Sequence, residues 1–121
     1  MEIEIQKHVN PSFDSDTIQI LLGGALIGHL SVEHKKDRYF KNKYKLPFNK
    51  KCCFLHSFNF IEPCQNKGYG HKVLQYLKKE YLNTCFVLYV QKEDARAIHL
   101  YKSEGFKLHS GEYYDIMIFI P

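Results

Sequence analysis

From Phe54 to Tyr81 the chain reads as a strand, a glycine-rich turn and a helix, and this order limits the fold more than any other stretch. Phe54, Leu55, Phe58, Phe60 and Ile61 are strand formers, and the run Cys52–Ile61 is apolar enough for a strand buried on both faces. Glu62-Pro63 stops it, and Gln65-Asn66-Lys67-Gly68-Tyr69-Gly70 follows. Val73, Leu74, Leu77 and Tyr81 then recur at helical spacing, with Lys72, Lys78, Lys79 and Glu80 mostly on other faces. Glycines at such a junction let a backbone approach a ligand closely. The unpaired N–H groups and partial positive charge of the first helical turn favour an anion. The turn is not a P-loop, because no Gly-Lys-Ser/Thr follows. Nor is it a dinucleotide fingerprint, because Val73 occupies the third glycine position.

A second half of the pattern lies downstream. Cys85–Gln91 reads as another apolar strand, Asp94 as the N-cap of a helix over Ala95–Ser103, Gly105 as its terminator and Phe106 as the start of the next strand. The segment Asp94–Phe106 resembles the N-x-x-A-x-x-x-Y-x-x-x-G-F segment of the GNAT superfamily of acyl-CoA-dependent N-acetyltransferases. Gln65–Gly70 resembles the Q/R-x-x-G-x-G/A acyl-CoA signature of the same superfamily. Both occur in the right order, with a helix and a strand between them.

The resemblance implies an α+β fold of GNAT type: a mixed, mostly antiparallel sheet with helices on its faces. It also implies acetyl-CoA as acyl donor, its pantetheine arm entering a splay between the two apolar strands and pairing like an added strand. Backbone N–H groups of Gln65, Asn66, Lys67, Gly68, Tyr69, Gly70 and His71 would hold the pyrophosphate, with charge added by Lys67. Phe58 and Phe60 would border the cofactor, the Phe60 N–H polarising the thioester carbonyl. Asp94 stands where relatives often carry an Asn that contacts the cofactor arm; its other reading is a plain N-cap. Tyr101 matches the tyrosine that protonates the leaving thiolate; its other reading is a core tyrosine on an amphipathic helix.

At 121 residues the chain is long enough for one core, hence one domain over 1–121. Glu2–His8 reads as a first strand, Thr17–Leu22 as a second, Gly23-Gly24 as a hairpin turn and Ala25–Glu33 as a third strand. The resemblance implies two helices after the first strand, yet only Val9–Asp16 is available, so this is a trimmed member whose acceptor wall comes from elsewhere. The replacement is His34–Lys51. That segment carries eight lysines and arginines against Asp37 alone, about +7 in a chain whose net charge is +4. Tyr39, Phe40, Tyr44 and Phe48 are interleaved with the lysines. Lysines mixed with aromatics suit an anionic partner at Lys35–Lys51, nucleic acid or an acidic protein surface. The plainer expectation is a solvated, mobile loop whose aromatics cover the sheet edge. After the Ser110-Gly111 turn, Glu112–Ile120 alternates and reads as the last strand.

Cys52 and Cys53 are adjacent, Cys64 and Cys85 stand alone, and no Cys-x-x-Cys occurs, so neither a disulfide framework nor a metal site is expected. Cys52, Cys53 and Cys85 read as small core residues of a reducing compartment, and Cys64 as a loop residue near the ligand. Met1–Ile5 alternates and is acidic, unlike a signal peptide, and no apolar run reaches membrane-spanning length. The expected setting is cytoplasmic, with a monomer or an edge-paired homodimer both open.

These readings imply an acetyl-CoA-dependent N-acetyltransferase whose acceptor is a protein lysine, an N-terminus or a small amine. The alternative is a catalytically weak CoA-binding or nucleic-acid-binding module on the same fold. An attacking amine must shed a proton, and His56 is the candidate base. Strict alternation would put Phe54, His56, Phe58 and Phe60 on one face. Glu62 is the rival, Glu33 and His34 are further candidates, and the plain reading of His56 is a buried structural histidine.

Overall fold

The computed structural model describes residues 2–121; Met1, which opens the alternating N-terminal run, lies outside the described residues. The elements in chain order are β1 (Ile3–Asn10), a one-turn 3-10 helix (Pro11–Phe13), β2 (Ser15–Leu22), β3 (Ala25–Lys35), α1 (Arg38–Lys43) and β4 (Lys51–Phe60). A second 3-10 turn (Glu62–Cys64), α2 (Tyr69–Glu80), β5 (Thr84–Val90), α3 (Ala95–Ser103), β6 (Lys107–His109) and β7 (Asp115–Phe119) follow. The strands form one seven-stranded sheet in the order β1-β2-β3-β4-β5-β7-β6. Every neighbouring pair is antiparallel except β4 and β5, which are parallel and joined through α2. This is the mixed, mostly antiparallel α+β sheet expected from the sequence.

Local chemistry explains the punctuation. Gly23 and Gly24 both take positive φ, 58° and 83°, as a tight hairpin with the right-handed twist of its strands requires. Asp94 caps α3 by accepting a hydrogen bond from the Ala97 N–H at 3.1 Å. Gly105, at φ 95°, ends the same helix. Between β1 and β2 stands only the 3-10 turn, so the two helices the resemblance implied there are absent, as the short Val9–Asp16 segment foretold.

The sheet has two covered faces. Val73, Leu74 and Leu77 of α2 and Tyr101 of α3 pack with Ile18, Ile20, Leu30, Val32, Leu55, Phe86, Leu88 and Met117 on one of them. Burying each such aliphatic side chain contributes about 1.5–3 kcal/mol. Alternate residues Cys52, Cys85, Val87 and Ile118 face the other way and meet Tyr44 and Leu46.

That second cluster corrects one expectation. The basic segment is not a mobile loop. Asp37 caps α1 through the Phe40 N–H at 2.8 Å, and the aromatic positions Phe40 and Tyr44 pin the segment to the sheet. Arg38 and Lys43 of α1 and Lys45 just after it are exposed, so high charge coexists with a half-buried Phe40 and a buried Tyr44. The reading of β4 as buried on both faces also fails beyond Leu55. His56, Ser57 and Asn59 are exposed, because β4 there parts from its neighbour.

Candidate active site

The parallel ladder of β4 and β5 runs only from Lys51 opposite Thr84 to Phe54 opposite Val87. Beyond it the strands diverge, leaving a gap flanked by Leu55–Phe60 on one side and Leu88–Val90 on the other. An irregularity in β4 accompanies the divergence. Ser31 lies opposite His56 but His29 lies opposite Asn59, so β4 uses one residue more than β3 over this stretch. Ser57 takes φ 57°, a left-handed conformation uncommon for a non-glycine residue and suited to a bulge. The bulge reverses which face each later side chain meets. Leu55 pairs with Val32 and Phe60 with Gly28, so both lie on the α2/α3 face although they are five residues apart. His56 points to the α1 face. The expectation that Phe54, His56, Phe58 and Phe60 share one face is therefore wrong, because alternation does not survive an inserted residue.

On the α2/α3 face a cleft of about 610 Å³ opens beside the gap. Phe58, Phe60, Gln65, Asn66, Lys67, Gly68, Tyr69, Gly70, His71, Asp94 and Tyr101 all line it. Every residue expected to border the cofactor is thus brought together, although the turn and α3 are separated by a whole helix and strand. The two glycines of the turn differ in purpose. Gly68 sits at φ 80°, and a side chain there would meet nothing within 4 Å. It leaves the N-terminal cradle of α2 open to a ligand. Gly70 packs against α3 instead: an added Cβ would come within 2.8 Å of Leu100 Cδ2.

The Phe60 backbone is aimed at the gap. The Ile61 N–H donates to the Ile27 carbonyl across β3, at 2.8 Å, and alternation turns the preceding N–H to the opposite edge. The Phe60 carbonyl, on that same edge, accepts from Gln65 Nε2 at 3.0 Å, which ties the turn to the strand. Tyr101 is 9% exposed, and burial, assisted by the Asp94 carboxylate, pushes its phenol up to about 12. It therefore keeps its proton at neutral pH. Asp94 performs the plain N-cap role and also lines the cleft, so its two readings are compatible.

The cleft includes residues that the sequence reading passed over. Arg96 and Leu100 of α3 line it, with Asn59 and Ala97, while Cys64 lines it as a loop residue near the ligand, as read. Arg96 lies two residues after the Asp94 cap, and that position was the only available signal. His71 reaches out of the cleft wall, its Nδ1 2.9 Å from Oε2 of Glu104. Glu104 also accepts from Gln75 and Lys78, and so clasps α2 to the end of α3. Burial pushes the Glu104 carboxyl up, but the hydrogen bonds from His71 and Lys78 outweigh it and hold the group below its ordinary value.

The other face of the gap carries a second constellation. His56 is exposed, not buried: Nδ1 lies 3.2 Å from Ser57 Oγ, and Nε2 lies 3.7 Å from Glu33 Oε2. Its ring stacks on Phe54 at 5.7 Å, and Phe54 meets Tyr89 edge-on at 5.1 Å. Tyr89 shares a 2.6 Å hydrogen bond with the hydroxyl of Tyr44 and stacks on Tyr114. His34 is engaged elsewhere, its Nε2 3.0 Å from the buried carboxylate of Asp16. Glu62 is exposed in the 3-10 turn and does not line the cleft. Among the described residues no group of His, Cys, Asp or Glu is arranged to hold a metal ion, and no helix is long and apolar enough to cross a membrane. All four cysteines are free, with Cys52, Cys53 and Cys85 buried.

A family model described as "Acetyltransferase (GNAT) family" matches residues 4–106. Among solved structures, the chain is similar to Arabidopsis thaliana NAA60 in complex with a bisubstrate analogue, with a TM-score of 0.72 at 14% identity, covering 98% of each chain. It is similar to a GNAT family acetyltransferase from Elizabethkingia anophelis with acetyl-CoA bound, with a TM-score of 0.70 at 12% identity, again over 98% of each. It also resembles PaiA N-acetyltransferase from Thermoplasma acidophilum in complex with coenzyme A, with a TM-score of 0.63 at 17% identity, over 89% of this chain. It spans 62% of that protein, and 64% of a matched Pyrococcus horikoshii chain. At these identities the likeness is one of fold. No curated protein matches the chain in sequence.

Proposed function

Since this chain belongs to the GNAT family of acetyltransferases, we propose that it binds acetyl-CoA along the cleft between α2 and α3 and acetylates a primary amine presented at the α1 face of the sheet. The observation that carries this reading is the convergence of the Gln65–His71 turn, the Phe58–Phe60 strand and Tyr101 on one cleft beside the β4/β5 gap. Bound acetyl-CoA supplies a thioester carbonyl that an amine attacks with loss of a thiolate.

The chain's own groups divide the remaining work. Backbone N–H groups at the start of α2 take the diphosphate, and Lys67 and Arg96 add positive charge at the same cleft. The Phe60 N–H, turned to the gap, stabilises negative charge as it develops on the carbonyl oxygen. On the α1 side, His56 takes the proton that the amine nitrogen sheds as it bonds to the carbonyl carbon, with Glu33 polarising the imidazole. On the cleft side, Tyr101 gives its proton to the sulfur as the carbon–sulfur bond breaks, and regains one from water. Placing donor and acceptor machinery on opposite faces keeps both substrates bound together without overlap.

Calorimetry with CoA, followed by thiol release from acetyl-CoA across a panel of primary amines, tests the reading. Micromolar CoA binding and amine-dependent thiol release are expected. Absence of CoA binding in the folded protein overturns it. CoA binding without thiol release for any amine leaves only a binding module.

A further inference from the structure

The basic segment and the candidate acceptor site form one continuous surface. Lys43 lies over the Tyr44 ring at 5.3 Å, and Tyr44 bonds to Tyr89, which meets Phe54, which stacks on His56. From the other side, Lys35 lies over the Phe40 ring at 5.8 Å and bonds to Glu33 at 3.0 Å, and Glu33 faces His56. His56 and Tyr89 both lie just past the last paired residues, Phe54 and Val87, so they flank the mouth of the gap on this face. The candidate acceptor mouth is thus bordered by the segment in which the positive charge of the chain is concentrated.

Part of that charge is committed internally. Lys35 pairs with Glu33, Lys36 with Asp14 at 3.4 Å, and Lys50 donates to Asn83 at 2.8 Å. Arg38, Lys43 and Lys45 are exposed, and none forms an ion pair among the described residues. Exposed aromatic rings stand among and beside them: Tyr39, Phe48, Tyr113 and Tyr114. Such rings add contact area at little entropic cost and suit a polypeptide more than a small ion.

Resting on the transferase reading above, we propose that the acceptor is an amine borne on an acidic polypeptide segment, which docks across α1 and delivers its amine to the His56 side of the gap. Arg38, Lys43 and Lys45 read acidic side chains flanking the reactive amine, and Tyr39 and Phe48 pack against the segment between them. A free polyamine or a lysine within a basic sequence would be repelled by the same charges. Polynucleotides match the charge, but a polypeptide carries the aliphatic primary amine that the reaction consumes.

The test uses two readouts on the full chain. In the first, fluorescence anisotropy follows a labelled Asp/Glu-rich peptide, its basic counterpart and a single-stranded oligonucleotide. In the second, thiol release is measured with the two peptides unlabelled and with free N-termini. The acidic peptide is expected to bind at least tenfold more tightly than the basic one, and to weaken as salt rises from about 50 to about 200 mM. The triple variant Arg38→Gln, Lys43→Gln, Lys45→Gln is expected to lose that binding. A control variant with the same loss of charge elsewhere, Lys79→Gln, Lys102→Gln, Lys107→Gln, is expected to keep it. Equal binding of acidic and basic peptides, equal effects of the two variants, or preference for the oligonucleotide over the acidic peptide each overturns the proposal. If the acidic peptide binds as expected but no thiol is released with any amine, the docking surface stands and the transferase reading falls. If small amines are acetylated but peptide binding ignores charge, the reverse holds.

Discussion

His56 and Phe60, four residues apart on β4, lie on opposite faces of the sheet. One extra residue at Ser57, in a left-handed conformation, separates the aromatic pair that lines the cofactor cleft from the imidazole that faces the candidate acceptor side. An uninterrupted strand would stack all of these groups on one side. With the bulge, a single strand offers an N–H to the gap and a proton acceptor beyond it.

The first expectation concerns that imidazole. His56→Gln should keep CoA affinity, since the residue lies outside the cleft, while lowering turnover by roughly 10²-fold as a lost general base does. Calorimetry and steady-state rates decide it; an unchanged rate in the folded variant assigns the proton to Glu33 or to water. Because the side chain is exposed, little change in melting temperature is expected.

Tyr101→Phe should leave CoA binding intact and reduce turnover roughly 10²–10⁴-fold, provided chemistry limits the rate. The same hydroxyl has a signature in stability. Burial raises Tyr101 from 10.0 to about 12, and raises the Cys53 thiol from 9.0 to about 12. A raised folded-state value means that the native form holds its proton longer than the unfolded form does. The stabilisation is complete below the unfolded values and is lost as pH climbs from about 9 towards 12, for Tyr101 by about 3 kcal/mol. Thermal melts above pH 9 should show this decline, and the Phe variant should show a shallower one.

The glycines of the turn should separate ligand approach from packing. Gly68→Ala points its new methyl into open space and costs roughly 1–2 kcal/mol for the left-handed backbone. It should weaken CoA binding by about tenfold or more, equivalent to about 1.4 kcal/mol. Gly70→Val instead drives side-chain atoms into Leu100, so its main effect should be on stability. Paired calorimetry and melting curves on the two variants distinguish the roles; equal CoA affinity in Gly68→Ala and wild type would remove Gly68 from the ligand cradle.

Glu104 should behave as a clasp. Its carboxylate is held below the ordinary value of 4.5 by His71 and Lys78 against the opposing effect of burial. A depressed folded-state value contributes stability that is present above the unfolded value and lost as pH falls through the folded one. Melting temperature should therefore drop below about pH 4.5, and Glu104→Gln should blunt that drop while costing about 1–3 kcal/mol at neutral pH. A substitution with no effect on the acid limb would show that α2 and α3 are joined by apolar packing alone.

Local signals were legible in the sequence wherever one short stretch decided the outcome. The α3 helix begins and ends where Asp94 and Gly105 placed it, the Gly23-Gly24 hairpin turns as read, and the two spaced motifs led to the family. Capping, positive φ and helical periodicity are settled within a few residues, so the sequence displays them directly. The convergence of Tyr101 with the Gln65–His71 turn followed from the resemblance, because the intervening helix and strand set their separation. Tertiary structure alone decided the rest. The bulge at Ser57 depends on how β4 registers against β3 while it parts from β5, and no residue within the strand announces that choice. The basic segment reads as solvated charge because only the contacts of Phe40, Tyr44 and Leu46 with Cys52 and Cys85 on one face of the sheet reveal that it has a buried side. Gly70 owes its identity to Leu100, thirty positions away, and a contact between distant parts of a chain exists only once both have been brought to the same place.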